Sequence, residues 1–190
     1  LRLFFDNLNY LLKQMLLGGK VPNNIVQKKV SLLGEFATGK TSLVRRFVYN
    51  IFDERYMSTL GVNISRKEIG FADLKRIHML IWDLSGNEKF DGARSDYIRG
   101  TSGALLVCDL TRAETVSKLS YFKNYLYEFC PNIPAILIGN KADLIPDGYK
   151  TVQQLETIAK ECNFPYKITS AKKGIEVDSA FIDLAELMVS

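Results

Sequence analysis

Two short stretches carry residue types suited to holding a nucleotide. GEFATGKT, Gly34 to Thr41, has the spacing G-x-x-x-x-G-K-[ST] and lies directly after the apolar run VSLLG and before the helical stretch SLVRRFVYN. Gly34 and Gly39, with Thr38 beside them, let backbone N–H groups close around polyphosphate, and the helix entered through Lys40, Thr41 and Ser42 adds its positive end. In such a loop the lysine, Lys40, reaches the β and γ phosphates and the threonine, Thr41, supplies an oxygen to Mg²⁺. The second stretch is NKAD at 140–143, after the buried run AILIG. A carboxylate at Asp143 accepts two hydrogen bonds from guanine N1–H and the N2 amino group, whereas adenine offers neither donor there. Such pairing discriminates by about 10⁴ or more, because the wrong base leaves a buried charge unpaired. A surface turn after a strand is the plainer reading of NKAD, and the phosphate loop upstream argues against it.

These motifs need a scaffold, and the alternation of patterns supplies one. Short apolar runs fall at 29–34, 62–69, 76–83, 103–109, 134–140 and 164–170, and helical stretches near 40–50, 114–129, 151–161 and 175–189. That order predicts an α/β fold: a six-stranded, mostly parallel sheet with helices on both faces, the second and third runs forming the one antiparallel pair. The runs at 103–109 and 134–139 are continuously apolar, as expected of strands covered on both sides.

Composition narrows the class. The chain has 190 residues, 47% of them hydrophobic, which fits one globular domain. A net charge of +4 without long basic runs gives little support to nucleic-acid binding. Cys108, Cys130 and Cys162 have no metal-ligand spacing, and His78 is the single histidine, so neither a zinc site nor a disulfide framework is expected; the thiols read as core or surface filler in a reducing compartment. Residues 1–17, LRLFFDNLNYLLKQMLL, read as an amphipathic helix ended by Gly18 and Gly19, making 1–27 a helix and linker and 28–190 the main domain. The helix is too often interrupted by polar residues for a membrane span, and it is expected to pack on its own domain or on a partner; a membrane-surface role is the lesser reading, because its polar face lacks the basic residues. The missing initial methionine suggests a fragment.

The phosphate loop, WDLSG at 82–86, NKAD and TSAK at 169–172, in this order and spacing, resemble the Ras superfamily of small GTPases over 28–189. RFVYNIFDERYMSTLGVNI and IWDLSGNEKF look most like the Rab branch, which has YxSTIG and IWDTAGQE. The resemblance implies a Ras-like G domain binding GTP or GDP with Mg²⁺, a molecular switch in signalling and vesicle traffic. It is expected in the cytoplasm, reaching membranes through partners. By the same resemblance Thr59 is the switch I threonine that binds Mg²⁺ and senses the γ phosphate, Asp83 the carboxylate holding Mg²⁺, and Gly86 the glycine whose N–H meets the γ phosphate. Phe52 matches the aromatic that packs on guanine, with a core role as its alternative, and Ser170, Ala171 and Lys172 match the loop whose backbone N–H meets guanine O6. Effectors, exchange factors and GTPase-activating proteins are implied at switches I and II. Of three aromatics shown to Rab effectors, Trp82 and Tyr97 are matched and the third position is Ile64.

Three departures stand out. Asn87 occupies the place of the catalytic glutamine that orients the attacking water; its amide sits on a side chain one methylene shorter, and errors of about 1 Å cost around 100-fold in such chemistry. Phe36 and Ala37 fill the middle of the phosphate loop where small residues are usual, and Phe36 either obstructs an incoming arginine finger or points outward. No C-terminal cysteine or basic tail is present for a lipid anchor. The expectation is a slow GTPase, with Asn87, Lys40 and Gly86 at the chemistry. The alternative is a non-hydrolysing scaffold loaded with GTP or indifferent to nucleotide.

Overall fold

The computed structural model describes residues 25–53, 59, 61–71, 76–84, 91–146 and 149–190, with backbone alone at 91–94. The helix expected over residues 1–17, the Gly86 and Asn87 positions and most of the turn between the second and third strands lie outside these residues.

The elements in chain order are β1 (Ile25–Leu33), α1 (Lys40–Tyr49), β2 (Val62–Gly70), β3 (Arg76–Leu84), α2 (Asp91–Ile98), β4 (Gly103–Asp109), α3 (Ala113–Ser117), α4 (Leu119–Phe129), β5 (Ala135–Asn140), α5 (Lys150–Cys162), β6 (Tyr166–Ile168) and α6 (Val177–Leu187). They build one six-stranded sheet in the order β2-β3-β1-β4-β5-β6. Every neighbouring pair is parallel except β2 with β3, where Ile64 faces Trp82 and Glu68 faces His78 across an antiparallel ladder.

The sheet is covered on both faces because its central strands are apolar on both sides. All seven residues of β4 and all six of β5 are buried. Alternation divides them: Leu105, Val107, Ile136 and Ile138 join the core under α1 and α6, while Ala104, Leu106, Cys108 and Leu137 join the core under α3, α4 and α5. Phe47 of α1 stacks on Phe181 of α6 with ring centroids 4.1 Å apart and planes 3° from parallel, locking those two helices together. Strand β2 is an edge, and of its nine residues Ser65 and Ile69 alone are buried. Among the described residues no helix is long and apolar enough to cross a membrane.

Several elements differ from their sequence reading for physical reasons. β1 starts at Ile25, so three residues assigned to the linker pair with Arg76, Ile77 and His78 instead. The stretch expected as one helix over 114–129 divides at Lys118, where the Ser117 hydroxyl donates to Ala113 O at 3.2 Å and competes with the backbone ladder. β6 is only three residues long: Pro165 precedes it without an N–H, and Ser170 leaves the ladder to pair with Ile175. Helix α2 has no counterpart in the sequence reading, because DGARSDYI has a weak apolar stripe and ends on one buried residue, Ile98. Cys108 and Cys130 are buried thiols, and Cys162 is half-buried. His78 is a strand residue, with Nε2 2.9 Å from Glu68 Oε2 and Nδ1 against Arg66.

Candidate functional site

The parallel strands β1, β4, β5 and β6 and the neighbouring β3 all end at one edge of the sheet, and the described residues of the sequence motifs gather there. Gly34 leaves β1 with φ +151, and a Cβ on it would overlap the Val107 carbonyl of β4. Gly39, at φ +93, caps α1, and a Cβ there would collide with the Asn140 amide. Between them Ala37 sits at φ +61, a left-handed conformation that costs a residue with a Cβ about 1–2 kcal/mol. Lys40, at the first turn of α1, turns back through the loop: Nζ donates to Gly34 O at 2.9 Å and Glu35 O at 2.8 Å. Thr38 Oγ1 donates to the same Glu35 O at 3.0 Å. The first turn of α1, where Thr41 and Ser42 lie, has no acidic residue of its own and no side-chain cap among the described residues, so its positive end faces the loop.

The loop is also held from outside. Arg112 donates to Phe36 O at 2.8 Å, and Lys118 Nζ lies 2.9 Å from Glu35 Oε1. The Phe36 residue is 41% exposed. Arg112 in turn is anchored by Asp109, the last residue of β4.

A second corner brings three oxygens together from three segments. Thr41 Oγ1 donates to Asp83 Oδ2 at 2.6 Å, and Thr59 Oγ1 donates to Thr41 Oγ1 at 2.7 Å. Asp83 is 1% exposed and its Oδ1 is buried without a hydrogen-bond partner among the described residues. Burial pushes its carboxyl above the ordinary carboxylate range, while the Thr41 hydrogen bond and the Lys40 charge pull it back. A buried carboxylate oxygen left unpaired beside two hydroxyls suits a hard divalent cation with oxygen ligands, so the residues fit Mg²⁺.

The third corner is centred on Asn140, buried at the end of β5. Its Nδ2 donates to Thr38 O at 3.0 Å, and its Oδ1 accepts from Thr169 Oγ1 and from Ala171 N, each at 3.2 Å. One amide therefore ties the phosphate loop to the loop after β6. Lys141 adopts φ +68 and its Nζ lies 2.6 Å from Asp109 Oδ2. Asp143 sits in the 3₁₀ turn Ala142–Leu144 and accepts a hydrogen bond from the Ser170 hydroxyl. Phe52 packs against the core under α1 and α6, the alternative considered for it beside base stacking.

Two contributions escaped the sequence reading. Asp109 accepts from Thr111 N and Oγ1 at 2.9 and 2.7 Å and from Lys141 and Arg112, which places one buried carboxylate between the phosphate loop and NKAD. Burial raises its pKa, but the bonds from Lys141 and Thr111 outweigh this and hold it below the usual value. Its signal was present: a charge ending a wholly apolar strand. Arg46, whose Nε donates to Ala171 O at 2.9 Å and NH2 to Lys172 O at 2.8 Å, opens the stretch RFVYNIFDERYMSTLGVNI, but nothing in that stretch signals a reach to the loop after β6.

Beside the site, Trp82 and Tyr97 lie with ring centroids 6.2 Å apart, and Lys29 Nζ stands 3.9 Å from the Trp82 centroid. Ile64, opposite Trp82 on β2, is 51% exposed.

Comparison with known proteins agrees with this geometry. A model of the Ras family matches residues 29–190. Ras-related protein Rab-21 of Bos taurus is 32% identical over 173 residues, covering 90% of this chain and 78% of its own length. Rab-32 of Mus musculus is 32% identical over 168 residues, 85% of this chain and 75% of its own. Rab-10 of Caenorhabditis elegans is 31% identical over 163 residues, 85% of this chain and 81% of its own. With that much of the chain aligned and every described motif at one sheet edge, the protein belongs to the Ras family, as a small GTPase of the Rab branch, a class of GTP-binding switches.

Proposed function

We propose that this protein is a Rab-like switch that turns GTP over slowly. The observation that carries the switch reading is Thr59 bonded to Thr41, 18 residues away, at 2.7 Å, which brings the residue matching the switch I threonine to the end of the phosphate loop; the slowness is argued from Asn87. Lys40, the start of α1 and the amides of 34–39 hold the phosphates. Thr41, Thr59 and Asp83 hold Mg²⁺, which supplies charge neutralisation on phosphate oxygens when bound. Asp143 accepts from guanine N1–H and N2, Asn140 and Lys141 frame the base, and Ser170, Ala171 and Lys172 present backbone to O6. Gly86 meets the γ phosphate, and Asn87 stands where a glutamine amide would orient water. The shorter reach of Asn87 makes orientation poor and the reaction slow. Partners approach over switches I and II and the Trp82, Tyr97 and Ile64 face.

Single-turnover hydrolysis tests this reading. Asn87→Gln should raise the rate by about tenfold or more. A rate that is unchanged or lower refutes the assignment of Asn87 as the limiting residue. A second reading, a scaffold that holds GTP without cleaving it, is favoured by Phe36 and Ala37 in the phosphate loop together with Asn87. Chromatography of nucleotide released from the denatured protein separates the two: GDP supports turnover, and GTP alone supports the scaffold.

A further inference from the structure

We propose that Arg46 is a positioning residue for the base: it sets the geometry of the 170–173 loop and, through it, the reading of the oxygen at guanine C6. This rests on the nucleotide assignment above and adds a residue to which no motif of the site assigns a role. A guanidinium is a planar fork whose N–H groups point in fixed directions, so it can hold two acceptors at once where an ammonium acts as a point charge. Here Nε takes Ala171 O at 2.9 Å and NH2 takes Lys172 O at 2.8 Å, consecutive carbonyls 125 and 126 residues further along the chain. NH1 donates to Asn50 Oδ1 at 3.1 Å, and Asn50 is the left-handed cap of α1, with φ 54. The fork is thus fixed to the end of its own helix while it grips the loop.

Fixing a carbonyl in a planar trans peptide fixes the next residue's N–H on the opposite side. Holding Ala171 O therefore directs the Lys172 N–H, and holding Lys172 O directs the Lys173 N–H. The Lys173 N–H donates to Ser170 Oγ at 3.0 Å, and that hydroxyl donates to Asp143 Oδ1. A continuous path of hydrogen bonds and peptide planes runs from the arginine to the carboxylate assigned to guanine N1 and N2. The Ala171 N–H is set separately, by Asn140 Oδ1 at 3.2 Å and by the Ile175 N–H on Ser170 O at 3.1 Å, so the arginine's hold bears on the Lys172 and Lys173 N–H groups. Gly174, at φ +72, turns the chain beside the arginine stem, where a Cβ would rest 3.8 Å from Arg46 Cδ.

The test compares release of GDP and of 6-thio-GDP, which keeps N1–H and the N2 amine but replaces the oxygen by a poor acceptor. Wild type, Arg46→Ala and Arg46→Lys, each as the full chain, are loaded and chased with excess GDP. Wild type should lose the thio analogue faster than GDP. Arg46→Ala should release GDP about tenfold faster, with the two nucleotides within about twofold of each other, and Arg46→Lys should move the same way. An equal acceleration of both nucleotides, or no acceleration, overturns the proposal, as does a wild type that rejects ADP yet fails to distinguish GDP from 6-thio-GDP. Should Arg46→Ala lose its circular dichroism, the lysine variant decides. A wild type that takes up ADP as readily as GDP refutes the nucleotide assignment itself.

Discussion

Gly39→Ala isolates the reason for a glycine between the phosphate loop and α1. The backbone there has φ +93, which costs a Cβ-bearing residue about 1–2 kcal/mol, offset by about 0.4–1 kcal/mol because alanine leaves the unfolded chain fewer conformations. The larger effect is the collision: the new methyl would occupy the space of Asn140 Nδ2. The amide must retreat, breaking its 3.0 Å bond to Thr38 O and leaving buried polar groups unpaired, for about 1–3 kcal/mol. The expected net loss is about 2–3 kcal/mol, read from urea unfolding followed by Trp82, the single tryptophan, with an unchanged denaturant slope. Gly100→Ala is the control, because Gly100 has φ +73 but no atom of the described residues lies within 4 Å of where the new methyl would stand. It should lose at most about 1–2 kcal/mol. If the two substitutions cost the same, contact with Asn140 does not explain the glycine.

Ala37→Gly should act in the opposite sense, stabilising by about 0.5–1 kcal/mol as the strain at φ +61 is relieved against the entropy of a new glycine; a destabilised variant in the same urea assay refutes the strain. Asp109→Asn should lower stability at neutral pH. The folded-state pKa of Asp109 is depressed, so its contribution is present above the unfolded-state value of about 3.9 and is lost as pH falls through the folded value; the gap between wild type and variant should therefore close in acid, and a gap constant from pH 7 to 2 refutes the linkage. Mg²⁺ added with GDP should raise the wild-type melting temperature by about 3 °C or more, and Asp83→Asn should lose that increment; an equal rise in both removes Asp83 from the metal site.

What could be read in the sequence was what is local. GEFATGKT and NKAD announce themselves because their chemistry depends on neighbouring residues and on backbone angles that glycine permits. The buried strands at 103–109 and 135–140 were legible because burial on both faces leaves no polar position until the last residue. The supports were not legible. Lys141 finds Asp109 across 32 residues, Arg112 finds Phe36 across 76 and Arg46 finds Ala171 across 125, and no periodicity records such pairings. Helix α2 is hidden because its apolar stripe is slight, and β6 reads as longer than it is because a run of mixed residues after Pro165 cannot show where the chain leaves the ladder.

The sheet ends in two strands that are protected differently. β6 offers a neighbour only three residues, too short a template for another chain to extend. β2 offers nine, but Arg66, Lys67 and Glu68 place charges along its lower half, where a second copy in register would set like charges against like. Growth of the sheet from molecule to molecule is therefore disfavoured at both ends, by brevity at one and by repulsion at the other, so the backbone edges are kept from polymerising.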